Sequence, residues 1–212
     1  MNFNLFRYFI FLGLAMAVSA CNEAPKRFQA LKPSESGVDF VNELKPTEDL
    51  NILTYLYYYN GAGVAVADYN QDGLSDLYFT SNQGPDKLYL NQGNLKFKDV
   101  TVAAGIENAS GWTTGVTHVD INGDGLLDIY VCKVGKYKTI AGYNLLFVNQ
   151  GNNADGIPVF KESAANYGLD LVAFSTQAAF FDYDLDGDLD LYLMSHSLHS
   201  IHYYGKGSMH HN

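Results

Sequence analysis

Three stretches of the chain repeat one pattern of apolar and polar positions: a short apolar run, an aspartate-rich turn, and a second apolar run that begins Asp-Leu/Ile-Tyr. They are GVAVADYNQDGLSDLYF (63–79), GVTHVDINGDGLLDIYV (115–131) and QAAFFDYDLDGDLDLYL (177–193), and they align without gaps. Short apolar runs rich in β-branched and aromatic residues on either side of a turn are typical of strands. The pattern therefore predicts three β-hairpins that share one kind of turn.

Two further signatures recur between the hairpins. KLYLNQGN (87–94) matches LLFVNQGN (145–152), and FKDVTVAAGI (97–106) matches FKESAANYGL (160–169). The second unit is longer than the first, and its extra residues enter near KYKTIAG and NADGI, which we predict to be surface loops between strands. Each complete unit then has about four short strands, placed in the first unit at 63–68, 77–81, 87–91 and 96–101.

Four strands in each period of ~40–60 residues are the pattern of a β-propeller blade. We therefore expect an all-β fold, a partial β-propeller of four-stranded blades, with two complete repeats and one incomplete repeat at about 61–112, 113–174 and 175–212. A β-sandwich is the alternative, but it would not explain the repeat. Because propellers need at least about four blades to close, we expect an N-terminal portion of a longer protein or a truncated product. A complete chain would leave an open edge or assemble with another chain.

The N-terminus predicts an exported protein. Residues 1–20 contain Arg7 and then an apolar run at 8–18, which suits a signal peptide better than a spanning helix of ~20 residues. A membrane anchor or a buried helix is the alternative. The tetrapeptide VSAC resembles a bacterial lipobox, which implies that Cys21 is lipid-modified and that the protein is anchored to the outer membrane or cell surface of a Gram-negative bacterium. Residues 21–50, with three prolines, are predicted to form a tether.

Composition narrows the function. The chain of 212 residues is 47% hydrophobic and carries a net charge of −10, and it has no run of Lys or Arg, so we expect no nucleic-acid partner. Eleven of the 23 acidic residues lie in the three nine-residue turns, and such clustering favours bound cations over a generally acidic surface. With Cys21 modified, the second cysteine, Cys132, has no partner and is predicted to be a buried small hydrophobic residue.

The three turns obey one rule, Asp-x-Asp/Asn-x-Asp-Gly-x-x-Asp. Side-chain oxygens alternate along it, the glycine permits a sharp turn, and the carbonyl of position seven would point inward. Oxygen ligands alone suit a hard cation with six to eight ligands, so we predict about three Ca²⁺ sites. The predicted ligands are Asp68, Asn70, Asp72, Leu74 and Asp76 in the first turn; Asp120, Asn122, Asp124, Leu126 and Asp128 in the second; and Asp182, Asp184, Asp186, Asp188 and Asp190 in the third.

Other interpretations of these residues are weaker. An EF-hand would need a glutamate at position twelve and flanking helices, but that position is Phe79, Val131 or Leu193. Magnesium is the second choice, and a plain hairpin turn without metal is the remaining alternative. His196, His199 and His202 would alternate faces on a strand, so we expect histidines near the third turn that are exposed or that contact its ligand residues, more than a zinc site.

The turns resemble the calcium loops of FG-GAP/VCBS repeats, which occur in integrin-type β-propellers and in bacterial surface proteins. NGAG (60–63) stands where the FG-GAP motif would lie, although its Phe-Gly is absent. The spacing, with FKDVTVAAGI and STQAAFFDYDLDGDLDLYL, is more similar to bacterial lipoproteins of the cartilage-acidic-protein type, which carry a VCBS-like propeller and a C-terminal ASPIC/UnbV module. That module is not present in this sequence.

These observations favour a binding function. We expect a calcium-binding repeat protein of the cell surface that acts in adhesion, glycan capture or protein assembly, with calcium in a structural role. Its partners would be a protein or a glycan, with the membrane reached only through the lipid anchor. No catalytic motif is visible, so we expect no enzyme activity. The alternatives are a surface carbohydrate-active enzyme or polysaccharide-processing accessory protein, and a scaffold subunit for other outer-membrane proteins. The stretches that begin at Trp112 and Ser175 precede predicted strands and could line a surface at one end of them, although packing is the default interpretation of Trp112.

Overall fold

A computed structural model describes residues 27–106, 108 and 111–197. The predicted signal peptide, Cys21, His199 and His202 lie outside these residues. The chain divides into two compact units, Met1–Lys32 and Pro33–Asn212. Within the first unit, residues 27–32 contain no helix or strand, and all further description concerns the second unit. Over the described ranges, no helix has both the length and the apolar character that crossing a membrane requires.

The second unit is built of antiparallel strands in three sheets, so the predicted all-β architecture is confirmed. After the short helix α1 (Pro33–Ser36), the first sheet joins neighbouring strands in chain order. Its strands are β1 (Val64–Ala67), β2 (Asp76–Phe79), β3 (Lys87–Asn91) and β4 (Phe97–Asp99).

The second sheet repeats the same order with longer strands, and a two-stranded sheet follows it. The strands of the second sheet are β5 (Trp112–Val119), β6 (Asp128–Val134), β7 (Leu145–Asn152) and β8 (Pro158–Glu162). A 3₁₀ helix, η1 (Ala164–Tyr167), leads to the third sheet, which consists of β9 (Ser175–Phe181) and β10 (Asp190–Ser195).

All four predicted strands of the first unit are confirmed, and each end lies within two residues of its predicted position. The fourth strand is shorter than predicted and ends at Asp99. There the side chain of Asp99 accepts hydrogen bonds from the Thr101 amide (2.9 Å) and the Thr101 hydroxyl, which turns the chain away from the sheet. The two predicted insertions fall between β6 and β7 and between β7 and β8, as expected for surface loops.

Successive sheets pack face to face. One apolar core lies between the first and second sheets and includes Tyr78 and Leu88 on one side and Ile129 and Phe147 on the other. A second core lies between the second and third sheets, where Tyr130 packs near Ala178. The middle sheet is therefore covered on both faces, and all seven residues of β6 are buried, including Cys132 as predicted.

The residues before β1 form turns that pack on one end of the sheets. In the aromatic run 50–60, Tyr55 and Tyr58 are buried against Trp112. Further upstream, Asn42 accepts a hydrogen bond from the Asn82 amide at 3.0 Å. The predicted tether, residues 21–50, is thus in contact with the folded body around Asn42, and the tether interpretation is wrong for that part. Apolar side chains add to this contact, because Phe40 stacks on Phe79 with ring centroids 5.0 Å apart and Leu50 is buried in the same core as Trp112.

Candidate functional site

The three aspartate-rich turns connect β1 to β2, β5 to β6, and β9 to β10. In each turn the first aspartate follows the first strand of its sheet, β1, β5 or β9, and these three are called the inner strands below. The ninth residue of each turn begins the next strand. All fifteen predicted ligand residues lie in the described part of the chain, five in each turn.

The first turn is organised around the carboxylate of Asp68. Its two oxygens accept hydrogen bonds from the amides of Asp72 (3.1 Å) and Gly73 (2.8 Å). The Asp72 carboxylate in turn accepts from the Leu74 amide at 2.8 Å, and the Asn70 side chain accepts from the Asp72 amide at 3.2 Å. The side-chain oxygens at positions one, three and five are thereby held by backbone amides of one tight loop.

The second and third turns repeat this framework. Asp120 accepts from the amides of Asp124 (3.1 Å) and Gly125 (2.9 Å). Asp182 accepts from the amides of Asp186 (3.2 Å) and Gly187 (3.1 Å). Three turns in separate sheets therefore share one local conformation, which identifies the nine-residue pattern as a structural unit.

Left-handed backbone at two positions produces that conformation. The predicted glycine at position six has φ of 85°, 85° and 96° in Gly73, Gly125 and Gly187, so the expected sharp turn is confirmed. Position four is also left-handed, and there Gln71 and Leu185 adopt φ of 59° and 62° without being glycine. Such residues cost about 1–2 kcal/mol each in that region, so the loop hydrogen bonds must compensate. Gly123, with φ of 71°, occupies this position in the second turn and was the one sign of it in the sequence.

The ninth-position aspartates have a second role, which the sequence pattern does not predict. Asp76 is fully buried, and its carboxylate accepts from the amides of Tyr69 (3.0 Å) and Asn91 (2.8 Å). Asp128 is equally buried and accepts from the amides of Ile121 (2.9 Å) and Asn149 (2.7 Å). Each carboxylate thus ties its turn to the third strand of its own sheet.

This link explains the repeated Asn-Gln-Gly signature. Asn91 and Asn149 are its first residues, and their side chains accept hydrogen bonds from the amides of Gly93 (2.9 Å) and Gly151 (3.0 Å). The Asn149 amide group also donates to the Tyr69 carbonyl at 3.0 Å, and so joins the second sheet to the first turn. In the sequence, the only sign of the contact between the ninth aspartate and this asparagine is that the aspartate turn and the Asn-Gln-Gly signature recur together in both units.

Burial changes the electrostatics of the ninth position. Desolvation raises the pKa of Asp76 to about 6, and backbone hydrogen bonds from Asn91 and Tyr69 offset only part of that effect. Desolvation also raises the pKa of Asp128. A carboxylate in this setting is stabilised in its charged form by a nearby cation.

The third turn concentrates carboxylates most strongly. One ligand oxygen from each of Asp182, Asp184 and Asp190 lies within 4.8 Å of the others, and over the described ranges this is the single such group of three His, Cys, Asp or Glu residues. The equivalent positions in the first two turns include Asn70 and Asn122 in place of the second aspartate. Asp188 is exposed, and its pKa is raised, chiefly by the charge of Asp186.

The histidine expectation is wrong for His196. It follows β10 at the end opposite the third turn, about 20 Å away along a strand of this length. Its ring stacks on Tyr57 with ring centroids 3.9 Å apart. His196 therefore belongs to the aromatic end of the sheets and not to the candidate metal centre.

Comparisons with known proteins agree with the repeat pattern. A family model described as an FG-GAP-like repeat matches residues 68–131, which include the first two turns. The chain is 30% identical over 140 residues to cartilage acidic protein 1 of Homo sapiens, an alignment that covers 65% of this chain and 20% of that protein. It is 29% identical over 142 residues to cartilage acidic protein 1 of Xenopus tropicalis, covering 66% of this chain and 21% of that protein.

The predicted FG-GAP resemblance and the similarity to cartilage acidic proteins are thus confirmed. The chain spans about a fifth of the length of the curated relatives that it matches.

Proposed function

We propose that this protein is a calcium-binding repeat protein of the bacterial cell surface, in which calcium holds the hairpin turns and the assembled sheets present a binding surface. The observation that carries the proposal is the convergence of Asp182, Asp184 and Asp190 within 4.8 Å in a turn whose framework recurs in the other two hairpins. Like charges this close repel, and a divalent cation is the simplest partner that relieves the repulsion.

The donor set fits calcium. Each turn offers carboxylate or amide oxygens at positions one, three, five and nine, and these are the hard oxygen ligands that Ca²⁺ prefers. A carboxylate has about four lone-pair sites, so Asp76 and Asp128 retain acceptor capacity beyond their amide bonds. Leu74, Leu126 and Asp188 are proposed to add a backbone carbonyl in each turn.

The role proposed for calcium is structural. The ninth-position aspartate would join the ion to the third strand of the sheet, through Asn91 in the first sheet and Asn149 in the second. Metal binding to the native state alone stabilises that state by mass action. Folding and calcium binding are therefore expected to be coupled.

The sheets are proposed to be successive propeller blades. Both complete sheets are four-stranded meanders, and each packs its face on the next. On the outer face of the third hairpin, Tyr192 and Met194 are 61% and 51% exposed. A further blade packed on this face would cover them as the third hairpin covers Tyr130.

The cellular setting is proposed from the N-terminus. The lipobox-like VSAC supports export and anchoring through Cys21, with adhesion, glycan capture or protein assembly as the role at the surface. We propose no catalytic activity for the described sheets. A carbohydrate-active enzyme is the alternative, and it would need a pair of catalytic acids in a pocket.

The calcium proposal is tested by thermal unfolding of the 212-residue chain in calcium and in chelator. Saturating calcium should raise the melting temperature by about 10 °C or more. Magnesium at the same concentration serves as the control and should give a smaller increase. Identical melting curves in calcium and in chelator would overturn the proposal.

The expected order of calcium affinity among the three turns gives a second test. The third turn has four ligand carboxylates and the first has three, so Asp186→Ala should remove the tightest site and Asp72→Ala a weaker one. Asp184→Asn gives the third turn the ligand set of the other two and serves as the matched variant. Calorimetric titration should then show three sites of similar affinity, whereas an unchanged tight site would contradict the ranking.

A further inference from the structure

A pocket of about 320 Å³ opens at the end of the inner strands that lies away from the aspartate turns. Most of its lining residues lie before or at the start of β1, β5 and β9, and His196 follows the end of β10, whereas each turn follows the end of β1, β5 or β9. Its size falls in the range of about 300–1,000 Å³ that is usual for small-ligand sites. It is therefore separate from the proposed calcium centre.

Equivalent positions of all three repeats meet at this pocket. Gly63, Gly115 and Gln177 occupy one aligned position, and all three line it. A Cβ atom on Gly63 would lie 3.0 Å from the Thr114 carbonyl oxygen, and one on Gly115 would lie 2.0 Å from the Gln177 side-chain oxygen. The inner strands therefore approach closely here, and the glycines leave room for the Gln177 amide group at the wall of the pocket.

An aromatic wall forms another side. The Tyr57 and His196 rings are stacked at 3.9 Å, and Tyr55 packs edge-on against Trp112 with ring centroids 5.4 Å apart. The His196 Nδ1 atom lies 3.2 Å from the Ser197 carbonyl, which only accepts, so that nitrogen carries the proton. Nε2 then accepts from the Tyr55 hydroxyl at 2.9 Å, and these contacts fix the ring.

The pocket lining contains aromatic, amide and hydroxyl side chains but no Asp, Glu, Lys or Arg, although the chain has 36 such residues. The side chain of Asn60 makes no hydrogen bond to any other described residue, and Gln177 makes one, from its Nε2 to the Val116 carbonyl at 3.3 Å. The side-chain amides of Asn60 and Gln177 therefore keep hydrogen-bonding groups that a ligand could use. Such a lining suits a ligand that is uncharged, rich in hydroxyl groups and apolar on one face.

We propose that this pocket binds a neutral saccharide unit, with the apolar face of the sugar ring against Tyr57 and its hydroxyl groups paired with Asn60 and Gln177. Sugars combine C–H faces that pack on aromatic rings with hydroxyl edges that pair with planar amides. The inference rests on the binding role proposed above and supplies its ligand class. It does not depend on calcium being the ion in the turns.

Trp112 is the single tryptophan of the chain and lines the pocket, so its fluorescence reports binding directly. The purified 212-residue chain would be titrated with glucose, galactose, mannose, N-acetylglucosamine and short neutral oligosaccharides, with choline as a cationic probe. We expect a saturable change with at least one neutral sugar, confirmed by calorimetry, and none with choline. No response to any sugar, or a response to choline alone, would overturn the proposal.

Substitutions test whether the sugar binds in this pocket and not elsewhere on the surface. Tyr57→Ala, Asn60→Ala and Gln177→Ala should each weaken sugar binding by about tenfold, the loss expected when one good contact is removed. Tyr59→Ala is the matched control, because Tyr59 is 65% exposed and does not line the pocket. Equal weakening in Tyr59→Ala would contradict the assignment. Because Asn60 is exposed, its variant stays informative if Tyr57→Ala does not fold.

The same samples distinguish the two proposals. The rise in melting temperature with calcium would be measured for the wild type and for each pocket variant. A normal calcium effect without sugar binding would overturn only the saccharide site. Sugar binding without any calcium effect would overturn only the calcium proposal.

Discussion

The second and third hairpins have nearly the same sequence pattern but very different surroundings. Both continue from the turn with Asp-Leu/Ile-Tyr, yet Tyr130 is fully buried and Tyr192 is 61% exposed. In the second sheet the tyrosine faces the third hairpin, where it packs edge-on against Phe180 at 5.3 Å. The difference shows that one local motif supplies a core residue or a surface residue, depending on whether a neighbouring sheet covers it.

The largest contrast should appear when these two tyrosines are truncated. Tyr130→Ala removes a buried ring and the hydrogen bond from its hydroxyl to the Leu169 carbonyl, so unfolding free energy should fall by about 3–5 kcal/mol. Tyr192→Ala should change it by about 0.5 kcal/mol or less. Urea denaturation of both variants measures the difference. Equal losses would show that the outer face of β10 is covered in solution.

The ninth-position aspartates should give the next largest contrast. Asp128→Ala leaves the amides of Ile121 and Asn149 without their acceptor in a buried setting, which should cost about 2–4 kcal/mol. Asp190 is only partly buried and accepts from the Tyr183 amide at 2.8 Å, so Asp190→Ala should cost about 1 kcal/mol.

Both aspartate variants are to be compared in chelator, so that loss of a calcium ligand does not contribute. A larger loss for Asp190→Ala than for Asp128→Ala would contradict the proposed role of Asp128 as a link to the third strand.

A smaller effect on stability is expected from a buried polar cluster between the first two sheets, which includes Tyr78, Asp86 and Lys133. Asp86 is buried and accepts from the Tyr78 hydroxyl (3.0 Å) and the Ser81 amide (2.8 Å), near Lys133. Desolvation raises the pKa of Asp86 from 3.8 to about 6. Because the native pKa lies above the unfolded one, this group's contribution is fully present below about pH 4 and is lost as the pH rises through about 6.

Stability in chelator should therefore decrease by on the order of 2 kcal/mol between acidic and neutral pH on account of this carboxyl alone. The difference in unfolding free energy between the wild type and Asp86→Asn, measured across that range, isolates it from the other carboxyls. A difference that stays constant with pH would contradict the raised pKa.

The smallest change in stability should come from a cysteine placed in the third hairpin. Cys132 and Met194 are aligned positions, and burial raises the pKa of the Cys132 thiol to about 12. With Cys21→Ser as background, Met194→Cys should cost less than about 0.5 kcal/mol and introduce a thiol that reacts readily with a disulfide reagent. Cys132 should stay unreactive in the native protein. Slow reaction of both thiols would show that β10 is protected.

The sequence by itself determined the strands, the turns and their repetition. Alternating apolar residues, Asp-Gly turns and the Asn-Gln-Gly signature are local features, and local sterics and hydrogen bonding are enough to specify them. The left-handed Gly73, Gly125 and Gly187 follow directly from the pattern. The all-β fold and the positions of the predicted ligands in tight loops were therefore predictable.

Only the tertiary structure decided which copy of each motif is buried and what meets at the end of the inner strands. The hydrogen bonds from the Asn91 amide to Asp76 and from the Asn149 amide to Asp128 join residues 15 and 21 positions apart. The pocket joins Tyr57 to His196 across three repeats. Such contacts depend on how the sheets stack, and neither the repeat period nor the composition of the sequence specifies that stacking. The packing of neighbouring sheets and strands then decides how strongly the pKa of Asp76 is raised and how much of Tyr192 is exposed.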